Sequence, residues 1–283
     1  MAELNFRKMR VAFQGEPGAF SEAAAVQLLG DVIRTVPRTT FDSAFGAIAE
    51  GAADGLLVPV ENTLAGSVVR VYDLLLESNL EMCGETILPI EHQLMGMPGA
   101  RREHLRAVAS HPMALAQCER FFAANPQLKR VPAEDTAGSV REMMERGDRQ
   151  FGAIAGRRAA GHYGAVILLE NIQDNAENFT RFVLLLPPEQ ATLYRGAGAK
   201  KISLAMRLAH KPGALLASLE PFAKHGVNLL KIESRPIHGR PWEYQFYLDV
   251  EAEEPAQLEQ ALKETREATS ELRVLGKYAA ARR

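Results

Sequence analysis

Between Asn178 and Leu186 the chain reads NFTRFVLLL, which sets a hydroxyl and a guanidinium at the mouth of an apolar run. As a strand, this segment sends Thr180 and Phe182 to one face and Phe179 and Arg181 to the other. A partly buried arginine needs an anion, and its fork fits a carboxylate: a ligand's, or that of Asp174 or Glu177. Thr180 offers a hydrogen-bond donor, although threonine is also an ordinary strand former. A second polar cluster, ENTLAGS from Glu61 to Ser67, gathers a carboxylate, an amide, two hydroxyls and a glycine in one loop. There Asn62 and Thr63 either donate to a ligand carboxylate or close an Asx-type turn, and composition does not decide between the two.

The elements that must position these groups follow a repeating order of short apolar run, polar loop and helical pattern. RVAFQ precedes GEPGAFSEAAAVQLLG, GLLVPV precedes ENTLAGSVVRVYDLLLES, RAVA precedes SHPMALAQCERFFAAN, VPAED precedes TAGSVREMMERG, and FGAIA precedes GRRAAGHYG. This is the pattern of a parallel α/β sheet, whose ligand crevice lies at the strand C-termini. Ser67 is expected to open a helix whose Val68, Val71, Tyr72 and Leu75 share a face; Ser110 and His111 lead into Pro112, a good first helical residue. Several helix N-termini around one crevice, each with free N–H groups, favour a compact anion. GEPGAFS lacks the spacing of a Walker or dinucleotide loop, so ATP, NAD and FAD have no support.

PPEQATLYRGAGAK, from Pro187 to Lys200, has no apolar period and reads as a linker. Beyond it KISLAMRL, GALLASLEPFAKHG, NLLKIESRP, WEYQFYLDVE, PAQLEQALKETREATS and ELRVLGKY give strand, helix, strand, strand, helix and strand, the ferredoxin-like βαββαβ order. The expected domains are therefore residues 1–188 and 199–280. With 33 Lys+Arg against 35 Asp+Glu, the 283-residue chain has no basic field for nucleic acid or anionic membrane. No apolar run approaches the roughly 20 residues that span a bilayer, and no export signal is visible. Cys83 and Cys118 lack CxxC spacing and fit reduced thiols in a cytoplasm, with a single disulfide as the alternative. The seven histidines show no zinc-binding spacing.

FQGEPGAFSEAAA, VPVENTLAGSV, SHPMALAQC, DTAGSV, NIQDN and NFTRF, in this order, resemble the motifs of the prephenate dehydratase family, among them GPxGTFS, PIENSxxG and SHPQALxQC. GALL and ESRP resemble that family's ACT-type regulatory domain. The resemblance covers nearly the whole chain. It implies two α/β subdomains similar to periplasmic binding proteins, with prephenate in the cleft between them, and conversion to phenylpyruvate with loss of CO₂ and water. No cofactor or metal is implied. Thr180 is then the proton donor to the leaving hydroxyl, with Arg181, Phe182, Asn62, Thr63, Gly66, Ser67, Phe20 and Ser21 in or near the substrate site.

A phenylalanine effector is expected at Gly213, Ala214, Leu215, Asn228, Glu233, Ser234, Arg235 and Pro236, with a homodimer or homotetramer built through the ACT domains. The chain departs from the family pattern at Met113, where glutamine is usual, at Thr63, where serine is usual, and at Gly156, where alanine or serine is usual. An arogenate dehydratase and a non-catalytic small-anion sensor are the alternative readings. A fused chorismate mutase is not expected.

Overall fold

The computed structural model describes residues 8–194, 199–237 and 239–281, apart from the side chains of Arg240, Pro241 and Trp242. The opening residues 1–7 and residues 195–198 of the expected linker lie outside the described residues. The described residues fall into two compact units: one runs through Leu74 and includes Thr86–Val183, and the other holds Leu75–Glu85 and the chain from Leu184 onward.

The first unit contains two α/β lobes. In the first lobe, β1 (Arg10–Gln14), α1 (Phe20–Leu29), β2 (Arg34–Arg38), α2 (Phe41–Ala49), β3 (Gly55–Asn62), β4 (Gly66–Ser67) and α3 (Val69–Glu77) follow one another. After β5 (Glu81–Pro89) the chain enters the second lobe. That lobe comprises β6 (Gln93–Gly96), β7 (Ala107–Ser110), α4 (Pro112–Ala116), α5 (Glu119–Ala124), β8 (Lys129–Pro132), α6 (Thr136–Arg146), β9 (Phe151–Ala155), α7 (Arg157–Tyr163) and β10 (Val166–Leu169). β11 (Phe179–Leu186) then returns to the first lobe, beside β3. β1 runs parallel to β2 and β3, and β7 runs parallel to β8 and β9. The α/β order expected from periodicity is thus the order observed, in two lobes joined by two crossings.

The lobes meet along α1 and α7. Gly18 has φ 88°, and a Cβ there would lie 2.7 Å from the Ala159 Cα, so only glycine permits the approach. Glu22, buried in the first turn of α1, accepts from Gly18 N at 2.8 Å, Thr35 Oγ1 at 2.8 Å and Arg158 Nε at 2.9 Å. Burial pushes its carboxyl pKa up, but the Gly18 N–H, the Thr35 hydroxyl and the Arg158 guanidinium outweigh that and hold it below its ordinary value. A depressed carboxylate contributes stability that is present above its unfolded pKa and is lost as pH falls through the folded value. The stability gap between wild type and Glu22→Gln should therefore be largest near neutrality and shrink below about pH 4. Urea midpoints measured at both pH values check this; a gap that does not depend on pH would count against it.

Two sequence expectations change. Ser67 does not open a helix: it lies in the two-residue β4, paired with Glu61, and α3 starts at Val69. The turn that reverses the chain between Asn62 and Gly66 uses the hydroxyl-rich loop before any helix can begin. The linker also contains α8 (Pro188–Tyr194). A seven-residue helix is too short to show an apolar period, and only Ala191 of it is buried.

The second unit is built on β12 (Lys201–Arg207), α9 (Ala214–Lys224), β13 (Asn228–Ile237), β14 (Arg240–Glu251), α10 (Pro255–Ala268) and β15 (Glu271–Tyr278), the expected βαββαβ order. Its sheet runs β13-β14-β12-β15, and β15 continues onto β5 through Gly276 and Met82. A Cβ on Gly276 would lie 2.0 Å from the Met82 carbonyl oxygen, so this pairing requires glycine. Beside it Lys201 Nζ donates to both carboxylate oxygens of Glu85, at 2.9 and 2.8 Å, with side chains 7% and 2% exposed. Ala281 N adds a third bond to Glu85 at 2.9 Å. Both cysteines are free and buried, and burial raises their pKa values, that of Cys118 to about 12. Among the described residues no helix is long and apolar enough to cross a membrane.

Candidate active site

β11 carries the NFTRF segment from a partly open end into a buried one, with Val183 to Leu186 fully inside. The strand alternation holds: Thr180 and Phe182 are buried, while Phe179 and Arg181 are half-buried. Four leucines and valines anchor the strand, and the polar residues are confined to its mouth. The NIQDN stretch delivers β11 there. Gln173 accepts from His92 N at 2.9 Å, Asp174 caps α5 by accepting from Glu119 N and Arg120 N, and Asn175 accepts from Glu177 N.

The ENTLAGS loop clasps that mouth. Asn62 Oδ1 accepts from Leu64 N at 2.9 Å and Ala65 N at 2.8 Å, which is an Asx turn. Its Nδ2 faces β11, with Thr180 Oγ1 at 2.9 Å, Asn178 Oδ1 at 2.8 Å and Phe179 O at 3.1 Å. Thr63 Oγ1 donates to Glu177 O and accepts from Phe179 N, so its hydroxyl ties the loop to the strand. Of the two readings left by the sequence the structure shows the Asx turn, and the Asn62 amide is directed at the Thr180 hydroxyl of β11. Arg181, 11% exposed, has Glu61 as its counter-ion at 3.5 Å, in place of Asp174 or Glu177. Asp174 is occupied by the α5 N-terminus, and Glu61 arrives from the end of β3, a juxtaposition that sequence distance concealed.

Behind Thr180 lies a polar chain with no counterpart in the sequence reading. Asn178, 1% exposed, reaches Gln117 Oε1 at 3.1 Å, and the same oxygen meets His92 Nε2 at 2.8 Å. Asn178 opens the NFTRF motif and Gln117 stands within SHPMALAQC, so both were in view; what was missing was the fold that brings them together. Phe20 is not among these groups. Its ring meets His92 edge-on at 5.7 Å and faces a cavity of about 380 Å³ that includes Leu88, Pro89, Gln93 and Gly156. A Cβ at Gly156 would lie 2.8 Å from that ring, so the glycine departure makes room for Phe20. Ser21 is buried, Gly66 and Ser67 form β4, and Met113 is half exposed at the start of α4.

In the second unit Gly213 caps α9 in the left-handed region, at φ 80°. Ala214 and Leu215 line a cavity of about 150 Å³ with His210, Tyr244 and Phe246. Asn228, Glu233, Ser234, Arg235 and Pro236 do not line it. β13 alternates exposed and half-buried residues, with Ser234 opposite Phe246 and Pro236 opposite Tyr244 in β14, while Glu233 pairs with Lys231 at 3.3 Å. Tyr244 and Phe246, which share that cavity, read in sequence only as strand formers.

Two lobes with a threonine, an amide and an arginine gathered on the returning strand, followed by a βαββαβ unit, define a two-part α/β enzyme with a regulatory module. Residues 11–190 match the family model for prephenate dehydratase, and residues 202–267 match that for the ACT domain. The chain belongs to the prephenate dehydratase family. It is 39% identical over 286 residues to arogenate dehydratase/prephenate dehydratase 1 of Arabidopsis thaliana, a chloroplastic protein, spanning 96% of this chain and 72% of that one. Among solved structures it resembles prephenate dehydratase from Arthrobacter aurescens in complex with L-Phe, with a TM-score of 0.84, 31% identity, and coverage of 96% of this chain and 90% of that one. It equally resembles GqqA, described as a novel type of quorum quenching acylase, with a TM-score of 0.84, 33% identity, and coverage of 96% and 98%.

Proposed function

We infer that this protein is a prephenate dehydratase that converts prephenate to phenylpyruvate, CO₂ and water. In that reaction the bond from the ring to its carboxylate breaks as CO₂ leaves. The electron pair moves through the ring, and the C–O bond opposite breaks as hydroxide departs, taking up one proton. Aromatisation drives the step, so the protein's task is to hold a dianion and to stabilise the developing charge on the departing oxygen.

The observation that carries this reading is the Asn62 amide directed at Thr180 Oγ1 from 2.9 Å. An oxygen that accepts from that amide keeps its own hydrogen for another acceptor. In the mechanism that acceptor is the leaving hydroxyl, and solvent restores the proton to Thr180. A threonine is a weak acid, so its contribution lies in orientation and in a hydrogen bond that strengthens as charge builds. Arg181, held by Glu61, supplies positive charge at the strand mouth for a substrate carboxylate, and the first unit carries the catalytic domain.

The second unit binds L-phenylalanine as effector around Gly213, Ala214 and Leu215. The ACT match and the L-Phe complex of the Arthrobacter protein support this. Leu216, Leu230 and Ile232 are exposed there and support self-association through this domain. Because the Arabidopsis relative carries both names, arogenate is the competing substrate.

Purified protein offered prephenate or arogenate, with and without phenylalanine, tests the reading. Phenylpyruvate from prephenate, at a rate altered by phenylalanine, is expected. Phenylalanine from arogenate alone would move the assignment to arogenate dehydratase. No product from either, in folded protein, would favour the sensor or, given the acylase neighbour, an acyl-amide substrate.

A further inference from the structure

Asn178 and His92 lie outside the expected site, yet both join Thr180 in one chain of hydrogen bonds whose direction can be deduced. The backbone N–H groups of Leu64 and Ala65 can only donate, so the Asn62 atom they meet is Oδ1 and its Nδ2 is turned toward β11. That Nδ2 donates to Asn178 Oδ1, which turns the Asn178 Nδ2 toward Gln117 Oε1. Gln117 Oε1 therefore accepts from His92 as well, and the imidazole proton resides on Nε2. His92 Nδ1 is left with the lone pair, buried and without a partner among the described residues. Burial lowers the His92 pKa, against an opposing contribution from the Gln117 bond, in keeping with a neutral ring.

The two hydrogens of the Asn62 amide point in fixed, divergent directions. Phe179 O lies 3.1 Å from Nδ2 and competes with Thr180 Oγ1 at 2.9 Å. We propose that Asn178 is a positioning residue for the dehydration: by taking one hydrogen of the Asn62 amide, it aims the other at Thr180 Oγ1 and leaves the threonine hydrogen free for the leaving group. This rests on the reading of Thr180 as the donor in a prephenate dehydratase. Without the acceptor at 178 the amide is free to settle on the Phe179 carbonyl, and the threonine hydroxyl loses its orientation.

Full-length Asn178→Ala and Asn178→Asp provide the test. Asn178→Ala should lower kcat on prephenate by about 10- to 100-fold, with KM within about 3-fold of wild type. Asn178→Asp should recover most of that loss, because a carboxyl oxygen still accepts from Asn62. An ionised Asp at this position cannot donate to Gln117, so the Gln117 amide should turn over and move the His92 proton from Nε2 to Nδ1. Ring ¹⁵N spectra of His92 read this tautomer without substrate, and they decide the issue if Asn178→Ala fails to fold.

Wild-type His92 protonated on Nδ1 would overturn the proposal. So would Asn178→Asp as impaired as Asn178→Ala, or Asn178→Ala as active as wild type. An inactive wild type would overturn the functional reading itself, an outcome distinct from an active wild type whose two variants behave alike.

Discussion

Thr180→Val should reduce kcat on prephenate by roughly 10²- to 10⁴-fold, the range associated with loss of a positioned proton donor, while KM changes little. Valine keeps the β-branched shape that a buried strand position favours, so packing of β11 is preserved. What disappears is the hydroxyl, which is needed only as the departing oxygen gains charge, and loss of an interaction confined to the transition state appears in kcat. Asn62 Nδ2 retains Asn178 Oδ1 and Phe179 O after the change. The stability cost should therefore be only about 1 kcal/mol, measured as a urea midpoint beside the kinetics. Turnover equal to wild type would remove Thr180 from the chemistry.

The largest stability effect is expected at Glu85. Its carboxylate is 2% exposed and holds Lys201 Nζ with both oxygens, and Lys201 lies 5.7 Å from the centre of the Tyr278 ring. Glu85→Ala leaves an ammonium buried with its principal partner gone, which costs about 3–5 kcal/mol. Replacing both members, Glu85→Leu with Lys201→Met, removes the unpaired charge and should restore much of the loss, since a buried pair is roughly balanced by an apolar one. Equilibrium denaturation of the single and double variants checks this. A Glu85→Ala protein within about 1 kcal/mol of wild type would mean that water reaches the ammonium and the pair acts as a surface one.

The βαββαβ order and the alternation of β11 were legible because both are local patterns of apolar residues. The helical part of the linker was not, since α8 spans only seven residues and buries one alanine. Thr180 and Arg181 stood out by type and by motif. Their neighbours did not: Glu61 and Asn62 come from β3, and Gln117 and His92 come from the second lobe, so only the fold brings them to β11. The sequence also left Asn62 divided between turn and ligand; its oxygen closes the turn, and its nitrogen meets partners on β11 that lie more than a hundred residues away in sequence. In the second unit, Gly213 was legible as a helix start from its position after a strand, whereas Tyr244 and Phe246 meet the cavity beside Ala214 and Leu215 through a strand pairing that no local signal specifies.

The most direct measurement of the central claim, that an oriented hydroxyl at position 180 assists the loss of hydroxide, is kcat on prephenate for Thr180→Ser beside Thr180→Val. Serine keeps the hydroxyl within reach of Asn62 but adds rotameric freedom, so it should fall within about 10-fold of wild type, while valine stays roughly 10²- to 10⁴-fold down. Serine as inactive as valine in folded protein, or valine as active as serine, would contradict the account.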